Sequence, residues 1–494
     1  MIQKSKMLDK ANQYVTQERS TVNPFYRNKY HAMAPIGWIN DPNGFIYFKN
    51  EYHLFYQYNP FDSKWGPMYW GHLKSKDLIH WEDLPIALAP DQWYDKDGCF
   101  SGSAIEKDGK LYLMYTGHAI ENNQVYQRQC MAVSEDGVVF SKFDNNPVID
   151  DAMISGVGSI HDFRDPKVIY RNNQYYTVVA TKNDKDAGRA LLFESSDLLK
   201  WRFKSILLDG EPKLGIMFEC PDLFSLDGWD VLLMSMIQMP SFEEKYHNIS
   251  STVAFIGKVN WDTGKFITNN YDEIDSGLDF YAPQTTLNDQ NQRIMIAWMQ
   301  MWDRTIPTHD LGHHWSGSMT FPRELQIKDR HLIQKPVNAS YSNLKDQFSL
   351  ENIVVGQYPI IFHNVARDNE YICLTVNLAD TEYFEMRYPY NGENGLKLAY
   401  DVRTETFTFS REGFGYLIKG NEKVMPDTRT VKVPLVYNQL VLEVFRDTSS
   451  IEIFINGKKT VTATFYEKMI SKDILFAAKG RAVIKSLKDG SVNV

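Results

Sequence analysis

A short phrase recurs at near-constant spacing through the first half of the chain. Ser75-Lys-Asp77-Leu-Ile-His-Trp81, Ser134-Glu-Asp136-Gly-Val-Val-Phe140 and Ser195-Ser-Asp197-Leu-Leu-Lys-Trp201 share the form Ser-x-Asp-x-x-x-aromatic, and successive copies begin 59 and 61 residues apart. A unit of that length fits one four-stranded blade of a β-propeller, where the Asp binds the backbone of a hairpin turn and the aromatic packs between blades. Three unrelated surface turns are the plainer alternative. The intervening sequence favours blades: runs such as Phe45-Ile-Tyr-Phe, Lys110-Leu-Tyr-Leu-Met-Tyr and Gln174-Tyr-Tyr-Thr-Val-Val-Ala are strand-like and are separated by Gly, Asn, Asp and Pro. The region 31–337 spans roughly 300 residues, which at about 60 per unit predicts about five blades.

The pattern changes on either side of that region. Residues 1–30 are polar with scattered apolar positions and read as a lead-in with a short helix. From 345 to 494 the strands alternate strongly, most clearly in Ile451-Glu-Ile-Phe-Ile-Asn456-Gly457, where Ile451, Ile453 and Ile455 share a face and Asn-Gly makes a tight turn. The expected architecture is therefore all-β: a five-bladed propeller followed by a C-terminal β-sandwich whose main task is to pack against it.

Charge and cysteine usage exclude several classes of function. A net charge of −9 and no Lys/Arg run give a polyanion nothing to bind, so nucleic acid is excluded as a partner. The first ten residues carry charges where a secretion signal needs an apolar stretch, and no later run is long enough to span a membrane, so the expectation is a cytoplasmic protein without a membrane partner. Four widely spaced cysteines form no C-x-x-C pair, which fits reduced thiols rather than a disulfide framework or a zinc site.

Three acidic residues stand in similar surroundings: Asp41 in Gly37-Trp38-Ile39-Asn40-Asp41-Pro42-Asn43-Gly44, Asp165 in Phe163-Arg164-Asp165-Pro166, and Glu219 in Phe218-Glu219-Cys220-Pro221-Asp222. Each alone could be a turn-capping or ion-paired residue. The repeat, however, puts them at turns of the first, third and fourth blades, and a propeller gathers corresponding loops around one end of its axis. Three carboxyl groups in one pocket suit glycoside hydrolysis, which needs an acid for the leaving oxygen and a carboxylate to attack or to activate water.

These residues resemble the signatures of glycoside hydrolase family 32, the invertases, fructanases and sucrose-6-phosphate hydrolases, and the likeness spans essentially the whole chain. The motifs are Trp38-Ile-Asn-Asp41-Pro-Asn-Gly, Phe163-Arg-Asp165-Pro and Glu219-Cys-Pro-Asp, with Ile39 where many members have Met or Leu. The resemblance implies that Asp41 is the nucleophile, that Glu219 is the general acid and then base, and that Asp165, assisted by Arg164, holds fructosyl hydroxyls. It also implies that Trp38, Asn40, Gln57, Trp65, Phe100 and Ser101 line the fructosyl site. No metal or organic cofactor is implied.

The sequence leaves other positions as packing or turn residues first: Trp70, His72, Ser103 and Asp279. Of Trp298 and Trp302, which alternate on one strand-like run, Trp302 is the expected site residue. Cys220, next to the expected acid, reads as an inert buried thiol. Arg304, His309, His313 and His314 fall in one loop after Trp302 and are candidate phosphate donors. The expected function is retaining hydrolysis of the β-fructofuranosidic bond of a small disaccharide, sucrose 6-phosphate and/or sucrose. The alternatives are a fructan exo-hydrolase, a transfructosylase or a catalytically silent sugar-binding protein.

Overall fold

The computed structural model describes residues 5–422 and 426–494. Residues 1–4 of the expected lead-in lie outside these; from there a helix, Lys6–Glu18, starts under a Ser5 cap and runs on through a single 3-10 turn, Arg19–Thr21.

Five antiparallel sheets follow in chain order, beginning with the strands Gly37–Phe48, Gly98–Lys107, Arg164–Arg171, Met217–Leu226 and Tyr281–Leu287. These five first strands pack on one another in a closed ring, so they line the axis of a five-bladed propeller. Trp315 and Ser316 close blade 1 by pairing in parallel with Gly37 and Trp38.

The repeated Ser-x-Asp phrase forms the turn between the third and fourth strands of blades 1, 2 and 3. Oδ1 of Asp77, Asp136 and Asp197 each accepts two backbone N–H groups, from residues two and three further on, at 2.8–3.0 Å. The Ser hydroxyl accepts the N–H of Leu78, Gly137 or Leu198, each with φ near +70 to +82°. The double cap holds two leucines in a left-handed conformation that they otherwise avoid. Phe140 and Trp201 then pack between blades, Phe140 lying 5.5 Å from Phe55 of blade 1. Blades 4 and 5 turn differently. Asn260 caps the turn in blade 4, and Asp329-Arg330, both with positive φ, make a two-residue turn in blade 5.

The three acids sit within the first strands rather than at turns beside them, because each first strand is interrupted by a β-bulge. The ladder slips at Asn40-Asp41, Ser101, Asp165-Pro166, Cys220-Pro221 and Ala282-Pro283 in blades 1 to 5. In three of the five the interruption includes a proline and in blade 1 it immediately precedes one, a residue that cannot donate to the ladder. Asp165, Cys220 and Ala282 take positive φ there, 65°, 47° and 52°.

Just below the bulges, polar side chains stitch blade to blade. Asn43 Oδ1 accepts Gly102 N–H, Ser103 donates to Pro166 O, and Lys167 donates to Asp222 and to Thr285 O. Asp222 accepts Thr285 N–H, and Gln284 accepts Phe45 N–H, closing the circle. Backbone groups that the bulges free are thereby satisfied in a dry interior.

From Leu344 to Val492 the chain forms one ten-stranded antiparallel sheet folded over an aliphatic and aromatic core, a β-sandwich. The long strands Glu370–Tyr390 and Asp473–Val492 pair along most of their length. In the hairpin strand Ser450–Ile455, Ile451, Ile453 and Ile455 enter that core as expected. Glu452 and Phe454, on the other face, are equally buried because they press on the propeller. Glu452 binds both His31 and Arg323 there, and Arg323 also binds Asp275 at 2.8 Å.

Candidate active site

The bulges turn the acids toward one end of the axis. Asp41 Oδ2 accepts the Ser101 hydroxyl at 2.6 Å and lies 3.4 Å from Cys220 Sγ, while Asp41 Oδ1 is buried with no hydrogen-bond partner. Asp165 Oδ2 accepts Cys220 N–H at 3.0 Å, with Cys220 Sγ 3.7 Å away. Cys220 thus stands between the two aspartates and carries Glu219 beside them. Glu219 Oε1 accepts from Arg164 Nε and Nη2 at 3.1 and 2.9 Å, and Oε2 accepts the Tyr281 hydroxyl at 2.7 Å. Glu219 is the most open of the three acids.

Burial raises both aspartates, and the crowding of carboxylates adds to it. Burial pushes Asp165 up to about 7, with Arg164 pulling it down and Glu219 and Asp41 pushing further. Burial also raises Asp41, opposed by the Ser101 hydrogen bond and reinforced by Glu219. The Cys220 thiol is driven well above its ordinary value by burial and by the neighbouring carboxylates, so it stays protonated and is no nucleophile.

Around the acids, Trp38 Nε1 donates to Asn40 Oδ1 at 2.8 Å, and the Trp38 ring packs 6.1 Å from Trp302 and 5.7 Å from Trp298. Trp298 is wholly buried, whereas Trp302 is partly open. Gln57 is buried and donates to Cys99 O. Trp65 is 52% exposed at the rim, 6.2 Å from Phe100, and Phe100 stacks flat on His118 at 4.2 Å. Trp70, His72 and Ser103 serve packing: Trp70 donates to Phe100 O, His72 stacks on Phe55 and Ser103 ties blade 2 to blade 3.

The loop after Trp302 does not match its reading as a phosphate cradle. Arg304 is buried against Asp279 and Glu422, and Arg411 binds the other oxygen of Asp279. Its charge is taken up in holding the sandwich to the propeller. His313 stacks on Tyr26, His314 meets Thr21 at 3.0 Å, and His309 Nδ1 lies 2.7 Å from Ser63 Oγ. The first two contacts seat the N-terminal lead-in, and the third ties the loop to blade 1.

Three residues that touch the acids or Arg164 were not singled out from the sequence: Tyr281, Gln127 and Thr116. Gln127 Oε1 accepts from Arg164 Nη1 at 3.3 Å, and Thr116 Oγ1 accepts Asp165 N–H at 3.0 Å. Tyr281 had a signal: Tyr281-Ala-Pro occupies in blade 5 the place of Glu219-Cys-Pro in blade 4. Gln127 and Thr116 had none, since their partners are in the next blade.

Carboxyl groups from three blades meeting at one end of a propeller axis, one of them with an unengaged oxygen, suit glycoside hydrolysis. The chain matches the glycosyl hydrolases family 32 N-terminal domain over residues 31–336 and the family 32 C-terminal domain over residues 370–490. It belongs to glycosyl hydrolase family 32. A sucrose-6-phosphate hydrolase of Escherichia coli is 34% identical over 472 residues, covering 94% of each chain. A raffinose invertase of the same species is 33% identical over 473 residues, with the same coverage. Among solved structures, a sucrose-6-phosphate hydrolase from Lactobacillus gasseri superposes with a TM-score of 0.87 at 27% identity, over 97% of this chain and 96% of that one. A family 32 β-fructofuranosidase from Bombyx mori gives 0.84 at 30% identity, over 98% of both.

Proposed function

We propose that the protein is a retaining β-fructofuranosidase that hydrolyses sucrose 6-phosphate and/or sucrose. The observation that carries this reading is the asymmetry of the Asp41 carboxylate, one oxygen held by Ser101 and the other free. In the proposed reaction Asp41 Oδ1 attacks the anomeric carbon of the fructosyl unit while Glu219 gives a proton to the leaving oxygen. Asp41 becomes esterified, the glucosyl unit departs as an alcohol, and Glu219 takes the proton back from the water that cleaves the ester. Asp165 accepts hydrogen bonds from fructosyl hydroxyls, with Arg164 holding it and Glu219 in place. Trp38, Asn40, Gln57, Ser101, Phe100, Trp65 and Trp302 form the walls of the sugar site, in which amides and hydroxyls meet polar edges and rings cover apolar faces.

Relatives bearing both the sucrose-6-phosphate hydrolase and the raffinose invertase names support a small fructosyl sugar as substrate, phosphorylated or not. The four cysteines are all unpaired, which suits the cytoplasm, and no helix of the described residues is long and apolar enough to cross a membrane. The test is kcat/KM of the purified protein for sucrose 6-phosphate, sucrose and a short inulin, with Asp41→Ala and Glu219→Ala beside it. Both variants are expected to fold and to lose turnover; near-normal hydrolysis by either would refute the assignment. A preference for inulin would shift the reading to a fructan exo-hydrolase, and transfer to sugar in place of water would make it a transfructosylase.

A further inference from the structure

The three residues that take positive φ at the bulges are held in one way. In each, the backbone N–H is bound by a side-chain oxygen of the preceding blade: Asp165 N by Thr116 Oγ1 at 3.0 Å, Cys220 N by Asp165 Oδ2 at 3.0 Å, and Ala282 N by Ser235 Oγ at 3.1 Å. The middle link is one of the three acids themselves. The outer two are hydroxyls, fully buried, that touch no reacting group.

We infer that Thr116, with Gln129, and Ser235 are positioning residues, setting the bulges that present Asp165 and Tyr281. Thr116 and Gln129 are cross-strand neighbours in blade 2. The Thr116 hydroxyl, 3.3 Å from Ser101 O, makes its shorter bond to Gln129 Oε1 at 2.8 Å, and Gln129 Nε2 donates to Phe163 O at 2.9 Å. The pair therefore grips the chain on both sides of Arg164, at the carbonyl of Phe163 and the N–H of Asp165. Because the Thr116 proton is committed to Gln129, its lone pairs face Asp165 N–H. A left-handed conformation is costly for a residue with a Cβ, and a buried N–H without an acceptor is costly again. Removing the hydroxyl releases both constraints and lets the bulge relax.

Ser235 works one blade further round. It pairs directly with Glu219 across the first two strands of blade 4 and sends its side chain to Ala282, the residue after Tyr281. It thereby fixes the distance between the acid and the phenol that donates to it. The chain of command is then Gln129 to Thr116 to Asp165 to Cys220 on one side of Glu219, and Ser235 to Tyr281 on the other.

The inference rests on the proposed roles of Asp165 and Glu219, and the variants separate the two. Thr116→Val, close in shape but without the hydroxyl, is expected to lower kcat/KM about 100-fold, the effect of a small misplacement of a reacting group. It should also raise the inhibition constant for fructose, because Asp165 grips the sugar. Thr116→Ser should restore both to within about threefold. Ser235→Ala is expected to lower kcat about tenfold and leave fructose inhibition unchanged, since it acts through Tyr281 and Glu219. Should Thr116→Val fail to fold, Gln129→Met keeps the hydroxyl, removes its anchor and carries the same expectation. Wild-type kinetics in Thr116→Val, equal damage in Thr116→Ser, or identical fructose effects in the two blades would overturn the inference. Full activity in Asp165→Asn would instead sink the reading of the site itself.

Discussion

Ser101 of blade 2 donates to Oδ2 of Asp41 in blade 1 at 2.6 Å, and Oδ1 of the same carboxylate is buried without a donor. The seam between two blades thus decides which oxygen of Asp41 is hydrogen-bonded and, under the proposed reaction, leaves the other to attack. It also moderates the carboxyl's acidity, because burial raises Asp41 and the Ser101 hydrogen bond works against that rise. Ser101→Ala should therefore move the acid limb of the kcat/KM profile to higher pH, and should lower the plateau about tenfold for the lost charge-assisted bond. A limb that stays in place would mean that Asp41 does not govern it.

Asp165 is expected to cost stability when it ionises. Its folded value is raised to about 7 by burial, against an ordinary 3.8, so the folded state holds the proton more tightly than the unfolded chain. Stability that depends on this proton is present at low pH and is lost as pH rises from about 4 to above 7. Asp165→Asn keeps an oxygen for Cys220 N–H and never ionises. Its Tm relative to the wild type should rise across that window while turnover is lost. A Tm difference that does not change with pH would show that Asp165 is already ionised in the folded protein.

His31 carries the opposite sign. Burial alone would depress it, but hydrogen bonds to Asp447 at 2.8 Å and Glu452 at 2.9 Å raise it to about 9 from 6.5. The stabilisation from this imidazolium is complete below about 6.5 and is lost as pH rises through 9. His31→Ala leaves two buried carboxylates short of a cation, which typically costs about 3–5 kcal/mol. Chemical denaturation at neutral pH should show that loss, and the gap between variant and wild type should narrow above pH 9. A constant gap would make His31 a neutral packing residue.

The propeller was legible because Asp77, Asp136 and Asp197 do the same local job, and a cap on a residue's own turn leaves its mark in a few consecutive positions. Blades 4 and 5 were invisible to that phrase because Asn260 and Asp329-Arg330 solve the turn in other ways. A second repeat was there to be seen: Asp41-Pro, Asp165-Pro, Cys220-Pro and Ala282-Pro mark four of the five bulges. The acids could be found from their motifs, but not the residues that hold them, since Thr116, Gln127 and Ser235 act on the next blade in space. The sandwich hairpin was half legible for a similar reason. Its isoleucines announced one buried face, whereas the burial of Glu452 needed His31 and Arg323, 421 and 129 residues away.

The same distance in sequence explains why Arg304 resembled a phosphate ligand. Its neighbours in the chain are polar and aromatic, and nothing local reveals that Asp279 and Glu422 enclose it, with its side chain 1% exposed. Arg411 also serves Asp279 at 2.7 Å, so removing Arg304 strands Glu422 in particular, whose Oε2 already lacks a partner. Arg304→Ala is therefore expected to lower stability by about 3–5 kcal/mol, the usual cost of breaking a buried ion pair. The ratio of kcat/KM for sucrose 6-phosphate over sucrose should stay as in the wild type, because a guanidinium whose five N–H groups go to Glu422, Asp279, Leu278 O and Asn248 has no donor left for a phosphate. A residue that did hold the phosphate would contribute a charge-assisted bond of about 1.5–3 kcal/mol to one substrate only, and its loss would drop the ratio roughly 10- to 150-fold. A drop of that size in a folded Arg304→Ala protein would mean that Arg304 leaves Glu422 when substrate arrives, and that the sandwich takes part in choosing it.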